Sequence, residues 1–172
     1  HMCSPAIATQ AEDLIAGGVK ELIHVGYAGG LQPELVPGEI ILTDGAFNDT
    51  AVARLYGYDY ELILSSKDLT NKIEEMITSA EIPYKRGLHW TTDAGYRETW
   101  GQVMDYRDKG ALCVEMEGVG LFTIANYRKC VATGIYVVSD VYSENDWKLG
   151  WEGNNIKRAV GAVIDMIIES IR

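Results

Sequence analysis

A chain of 172 residues is long enough for one ordinary domain with a single core, burying roughly 70% of the surface its unfolded chain would expose. Acidic residues outnumber basic ones 25 to 15, a net charge of −10, which excludes a nucleic-acid binder relying on a basic face. No apolar run is long enough to span a bilayer and no signal sequence is visible. Three cysteines, Cys3, Cys113 and Cys130, two of them inside apolar runs, fit a reduced, cytoplasmic protein that does not act on membranes.

His1-Met2 reads as a tag remnant, leaving residues 3–172 as a single domain. Ser4-Pro5 predicts a helix start, with Ser4 as N-cap and Pro5 at the first helical position, and Gly17-Gly18 ends that helix. Lys20 to Val25 is a short strand running into a glycine-rich turn, Gly26-Tyr27-Ala28-Gly29-Gly30. Such a turn can cradle an anion on its N–H groups, but its spacing matches neither the dinucleotide nor the Walker pattern, and a plain tight turn explains it as well.

Pro37-Gly38 marks a reversal into the strand Glu39 to Thr43, and Asp44 to Tyr60 shows no clear period and reads as loop with room for short strands. Ser66 or Asp68 caps a helix whose stripe is Leu69, Ile73, Met76, Ile77 and Ala80. Tyr84 to Trp90 is a strand. The polar segment Thr91 to Thr99 then leads into a helix ending near Lys109, with Arg97 and Glu98 as its solvated start and Asp93 as a turn cap; His89 has no assigned role.

Ala111-Leu112-Cys113-Val114 is a buried strand delivering Glu115, Met116 and Glu117 to the start of a helix that takes in the small and apolar run Val119 to Ala125. Two readings stand open for these acids. Either they cap the first helical turn while Met116 fills core space, or they form a ligand wall at a strand end, where open α/β sheets keep their sites. Lys129 to Asp140 is a strand, continuously apolar at Ile135 to Val138 and ending in Ser139-Asp140. Tyr142 to Asn154, with Trp147 and Trp151, reads as an irregular loop, either a lid or a packing and interface segment. Ile156 through Ile171 is an amphipathic helix. Alternating helices and strands predict an α/β domain with a mostly parallel sheet. No spacing of His, Cys and carboxylates predicts a metal site.

Four stretches, His24-Val25-Gly26-Tyr27-Ala28-Gly29-Gly30-Leu31, Thr91 to Thr99, Val114-Glu115-Met116-Glu117-Gly118 and Val138-Ser139-Asp140, resemble in order and spacing the nucleoside phosphorylase superfamily. That superfamily comprises purine nucleoside phosphorylases, uridine phosphorylases and methylthioadenosine nucleosidases. The resemblance implies a three-layer α/β/α fold around a central mixed, mostly parallel sheet. It also implies a homo-oligomer (dimer, trimer or hexamer) and cleavage of an N-glycosidic bond with phosphate or water as acceptor, without a cofactor. Carried over by position, Glu117 holds the ribose hydroxyls, Met116 packs on the sugar and Glu115 lines the same wall. Trp90, Thr91, Thr92 and Ser139 lie beside the substrate. Asp140 protonates or hydrogen-bonds the departing base, which favours a purine and requires a proton held near neutral pH.

Two departures stand beside the resemblance. Family members begin with additional strands carrying a phosphate loop that this sequence lacks, so an exposed sheet edge covered by another copy is expected. The phosphate positions fall on His24, Gly26 and Tyr27, where His24 replaces an arginine and Tyr27 a small hydroxyl residue, exchanging a fixed bidentate cation for a titratable ring. The sequence therefore leaves three outcomes: a phosphorylase, a nucleosidase using water, or an inactive nucleoside-binding or assembly module.

Overall fold

The computed structural model describes residues 3–143, 146–150 and 153–171; the expected tag, His1-Met2, and Trp151 lie outside them. In chain order the elements are α1 (Ser4–Ala16), β1 (Glu21–Gly30), β2 (Ile40–Asp49), α2 (Val52–Leu55), β3 (Leu62–Leu64) and α3 (Lys67–Ser79). Then follow β4 (Tyr84–Thr92), α4 (Trp100–Asp108), β5 (Ala111–Glu115), α5 (Gly118–Arg128), β6 (Val131–Ser143), β7 (Asp146–Leu149) and α6 (Asn154–Ile171).

The strands form one mixed sheet in the order β3-β2-β4-β5-β1-β6-β7, and a further antiparallel pairing of β2 with β6, Ile40 to Leu42 against Val137 to Ile135, closes it on itself. β1 with β6, β2 with β4, and β4 with β5 are parallel, whereas β1–β5, β2–β3, β2–β6 and β6–β7 are antiparallel. The expected mixed α/β sheet is thus present, but as a closed ring. Closure removes the edges of its five strands and, among the described residues, leaves β3 and β7 as flanking strands.

Apolar periodicity accounts for how the helices cover the ring. α1 and α5 meet over a core containing Ile7, Ala11, Leu121, Phe122 and Ile124, while α3 and α6 bury Leu69, Ile73, Ile77, Ile156, Val163 and Met166 against β2 and β6. α5 is buried along its length from Gly118 to Ala125, so it is apolar on every side and carries no amphipathic signal. It reaches α1 closely because Gly120 has no side chain: a Cβ there would lie 2.6 Å from the Ser4 carbonyl oxygen and 2.9 Å from its Cα.

Several boundaries differ from the sequence reading. The glycine run expected as a turn is strand, because β1 stays paired with β6 through Gly30. Within the stretch read as loop with room for short strands, β2 continues to Asp49 and a short, unexpected α2 follows. Ser4 is the first helical residue rather than the cap; its hydroxyl donates to the Met116 carbonyl, 3.0 Å away, and ties α1 to the β5–α5 turn. β6 runs on to Ser143 and β7 pairs back on it, replacing the first part of the expected irregular loop. The β1–β6 register also shifts at Ala28/Gly29: Ala28 faces Val138, but Gly29 faces Asp140, so Ser139 is the extra residue of a bulge.

Gly120→Ala is expected to lower the free energy of unfolding by about 1–3 kcal/mol, the usual range for overpacking, despite alanine's better helix propensity. Urea denaturation measures it, and an unchanged midpoint would show that α1 is not seated on α5 as described.

Candidate active site

The sheet order β5-β1-β6 builds a cleft of about 510 Å³ over the ends of these three strands. Its floor is the glycine run of β1, including Gly26 and Gly29. One wall is Val114, Glu115, Met116 and Glu117 from β5 and the turn after it, and the other is Ser139, Asp140 and Tyr142 from β6. The floor has to be bare. A Cβ on Gly29 would stand 3.1 Å from Tyr142 Cε2, 3.2 Å from Asp140 Oδ2 and 3.3 Å from Val114 Cγ1.

Glu115, at the end of β5, is buried and its carboxylate is engaged within the protein. It accepts the backbone N–H groups of Glu117 (2.8 Å) and Gly118 (2.8 Å), the Thr91 hydroxyl, and stands 3.0 Å from His89 Nε2. An ionised carboxylate only accepts, so Nε2 carries the hydrogen, and the Thr43 hydroxyl serves Nδ1 from 2.6 Å on the other side. Burial works to raise the Glu115 carboxyl, but attraction and hydrogen bonding from His89, then the Thr91 hydroxyl, outweigh it and hold the group below the ordinary carboxylate range. Glu115 therefore shapes the wall it was expected to line, fixing the backbone that presents Met116 and Glu117. Gly118 is glycine for the same reason, since a methyl group there would collide with His89 Nε2.

Glu117 is the N-cap of α5, and its carboxylate accepts the Cys3 N–H at 2.6 Å and the Met116 N–H at 3.3 Å. Burial raises its carboxyl above the ordinary value, the Cys3 N–H opposes this, and the negative charge of Glu115 adds to it. Across the floor, Ser139 donates to Asp140 Oδ1 and lies 3.2 Å from the Ala28 carbonyl. The two acids predicted to converge, Glu117 and Asp140, thus share one hollow. Both Ser139 and Asp140 face it although they are consecutive in a strand, and the bulge at this point is the cause.

Other predicted residues lie elsewhere. Trp90 is fully buried and stacked on Tyr106 at 4.3 Å, Thr91 serves Glu115 and the Val119 N–H, and Thr92 accepts the Ala94 N–H; none of the three lines the cleft. They sit one strand too far from it, on β4. His24, Gly26 and Tyr27 do line it, and burial lowers the His24 pKa, with Glu115 pulling the other way. Among the described lining residues there are four carboxylates, Glu98, Glu115, Glu117 and Asp140, and no lysine or arginine. The described residues also hold no group of three potential metal ligands, and no helix among them is long and apolar enough to cross a membrane. Asp93 accepts the Ala51 N–H at the start of α2, a cap supplied from a distant part of the chain.

Two residues were missed. His89, given no role, is the buried partner of Glu115; the parallel pairing of β4 with β5, two elements far apart in the sequence pattern, brings them together. Glu98, read as a solvated helix start, dips into the cleft and accepts the Tyr142 hydroxyl at 2.7 Å. Burial raises the Glu98 carboxyl, the Tyr142 bond lowers it and Asp140 raises it further; burial and the Glu98 bond push the Tyr142 hydroxyl up, keeping it a donor.

Fold and cleft together define a mixed α/β protein with a carboxylate-lined cleft at its strand ends. The chain belongs to the phosphorylase superfamily, which it matches across residues 2–171. It is 33% identical over 139 residues to a DeoD-type purine nucleoside phosphorylase of Exiguobacterium sibiricum, covering 79% of this chain and 59% of that protein. Against the DeoD-type enzyme of Caldanaerobacter subterraneus subsp. tengcongensis the identity is 34% over 139 residues, covering 79% and 60%. The chain thus spans about three fifths of the length of these relatives. A solved structure of the P knowlesi homologue of P falciparum PNP superposes with a TM-score of 0.79, over 94% of this chain and 65% of that one; at 23% identity this likeness concerns the fold.

Because the Glu115 carboxyl is held below its ordinary range, its contribution to stability is present above the unfolded value, near pH 4.3, and is lost as pH falls through the lower folded value. Glu115→Gln is expected to cost about 1–3 kcal/mol at neutral pH and to flatten the acid limb of a melting-temperature profile from pH 7 to 3. An acid limb as steep as the parent's would remove Glu115 as its source.

Proposed function

We propose that this protein cleaves the N-glycosidic bond of a purine nucleoside, with phosphate as acceptor. The observation that carries the reading is the meeting of Met116 and Glu117 with Ser139 and Asp140 across one cleft whose volume suits a nucleoside. Bond cleavage builds positive charge on the sugar ring and negative charge on the departing base. Glu117, with acceptor capacity beyond its two backbone partners, holds the ribose hydroxyls and strengthens that hold as charge develops. Met116 packs on the sugar. Asp140, oriented by Ser139, hydrogen-bonds or protonates the base so that it leaves as a neutral heterocycle.

A second reading, water as the acceptor, is favoured by one feature: His24, Gly26 and Tyr27 offer inorganic phosphate no arginine or lysine beside four carboxylates. As part of the same proposal the protein is cytoplasmic, uses no cofactor and works as a homo-oligomer. Its helical clusters act as the outer layers of a three-layer single domain.

Purified protein incubated with a panel of nucleosides, with and without phosphate, is expected to release free purine only when phosphate is present. Release in both arms would establish water as the acceptor, and release in neither would overturn the enzymatic reading. Asp140→Asn is expected to lower turnover of the best substrate by roughly 10²–10⁴-fold, the usual contribution of a general acid. Unchanged turnover would remove Asp140 from that role.

A further inference from the structure

A carboxylate has about four acceptor sites. On Glu115 they are taken by the N–H groups of Glu117 and Gly118, by the Thr91 hydroxyl and by His89 Nε2. Glu115 therefore acts through what it holds rather than on a ligand. Its partners are not equivalent. The two N–H groups belong to the turn being held, and Thr91 is itself tied to that turn, accepting the Val119 N–H at 3.2 Å. Of these partners, His89 is the one that leads away from the turn, to Thr43 on β2.

We propose that His89 is the positioning residue of the sugar wall: its bond to Glu115 fixes the turn from which Glu117 meets the ribose hydroxyls. This rests on the nucleoside reading above and adds to it the residue that sets how strongly those hydroxyls count. The hydrogen bonds form one continuous line. The Gly45 N–H donates to the Thr43 hydroxyl at 3.1 Å, that hydroxyl donates to His89 Nδ1, Nε2 donates to Glu115, and the same carboxylate receives the N–H groups of the turn. Gly45 follows the register shift of β2 against β4, so the line starts at a fixed irregularity of the sheet.

Packing holds the ring in this orientation. His89 is fully buried, with the Tyr136 ring 4.8 Å and the Phe122 ring 6.1 Å from it between centroids. Both of its nitrogens are used, one as donor and one as acceptor, so turning the ring over would break both bonds. The missing side chain of Gly118 lets the backbone of the turn lie against Nε2. Glu117, by contrast, has two backbone partners and spare acceptor capacity, so it is the aim of this carboxylate that depends on the line behind the turn.

The experiment measures kcat and KM for adenosine or inosine, whichever the parent protein cleaves faster, and for its 2′-deoxy analogue. Parent, His89→Leu, His89→Gln and Thr43→Val proteins are used, each checked for its melting temperature. His89→Leu is expected to raise KM for the ribonucleoside and to lower its kcat/KM roughly 10- to 100-fold; the 2′-deoxy analogue, which offers Glu117 one hydroxyl fewer, is expected to lose at least about 3-fold less. His89→Gln, whose amide can donate to Glu115 and accept from Thr43, is expected to stay within about 3-fold of the parent on both. Thr43→Val removes only the far end of the line and is expected to shift the ratio of the two substrates in the same direction by about 3-fold, which keeps the test open if His89→Leu does not fold. In a Glu115→Gln protein, adding His89→Leu is expected to cost less than about 3-fold more, because the path runs through Glu115. Equal losses on both substrates in whichever of His89→Leu and Thr43→Val folds, a His89→Gln protein as impaired as His89→Leu, or fully additive losses with Glu115→Gln would overturn the role of His89 while leaving nucleoside cleavage standing. A parent protein that cleaves neither nucleoside nor analogue would overturn the reading on which it rests.

Discussion

The buried carboxylate of Glu115 is the interaction around which the site is arranged. Removing a charge from water costs several kcal/mol, and that cost is offset here only because two backbone N–H groups, a threonine hydroxyl and an imidazole converge on it. Each partner comes from a different commitment of the fold. Thr91 and His89 come from β4, the N–H groups from the first turn of α5, and Thr43 on β2 completes the line behind His89. A carboxylate expected only to line the substrate wall is thus the one that gives Met116 and Glu117 a fixed place to stand. Ser4 adds a second tie to the same turn through the Met116 carbonyl, and Cys3 a third through Glu117, so α1 belongs to the support of the site as well as to the core.

The closed sheet explains why residues so distant in sequence share one hollow. β1 lies between β5 and β6, parallel to one and antiparallel to the other, and its glycines keep the space between two walls open. Larger side chains on this floor would bring the walls into contact with it, as the close neighbours of Gly29 show. Pairing of β2 with β6 locks the ring from the opposite side, which lets the surrounding strands carry polar groups such as Thr43 and His89 in a place shut off from water.

Much of this was legible in the sequence. The stripes of α3 and α6 and the continuous apolar run of β6 follow directly from burial, and the acid pair around Met116 with the later Ser139-Asp140 marked the two walls. The glycine run was not legible as strand, because glycine has no β preference and is extended there only by pairing with β6. Trp90, Thr91 and Thr92 were assigned to the substrate because their strand ends nearby, yet which strands border the cleft is a property of sheet order, and β4 lies one place too far out. His89 and Glu98 escaped for a related reason: a lone histidine in a strand and a glutamate before a capped helix carry no period, and each acquires its meaning from a partner brought by tertiary pairing.

The bulge in β6 has a consequence for how this chain tolerates change. Strand side chains alternate, so one extra residue is what turns Ser139 and Asp140 together toward the glycines and still returns Val141 to the interior beside Val138. A one-residue deletion there would restore a regular ladder with Val141 and Tyr142 still on their present sides, but only one side chain, in place of the Ser139 and Asp140 pair, would then turn toward the glycines. Length variation in homologous chains should therefore accumulate in the connections around this strand and be purged from its middle, where the count of residues matters as much as their kind.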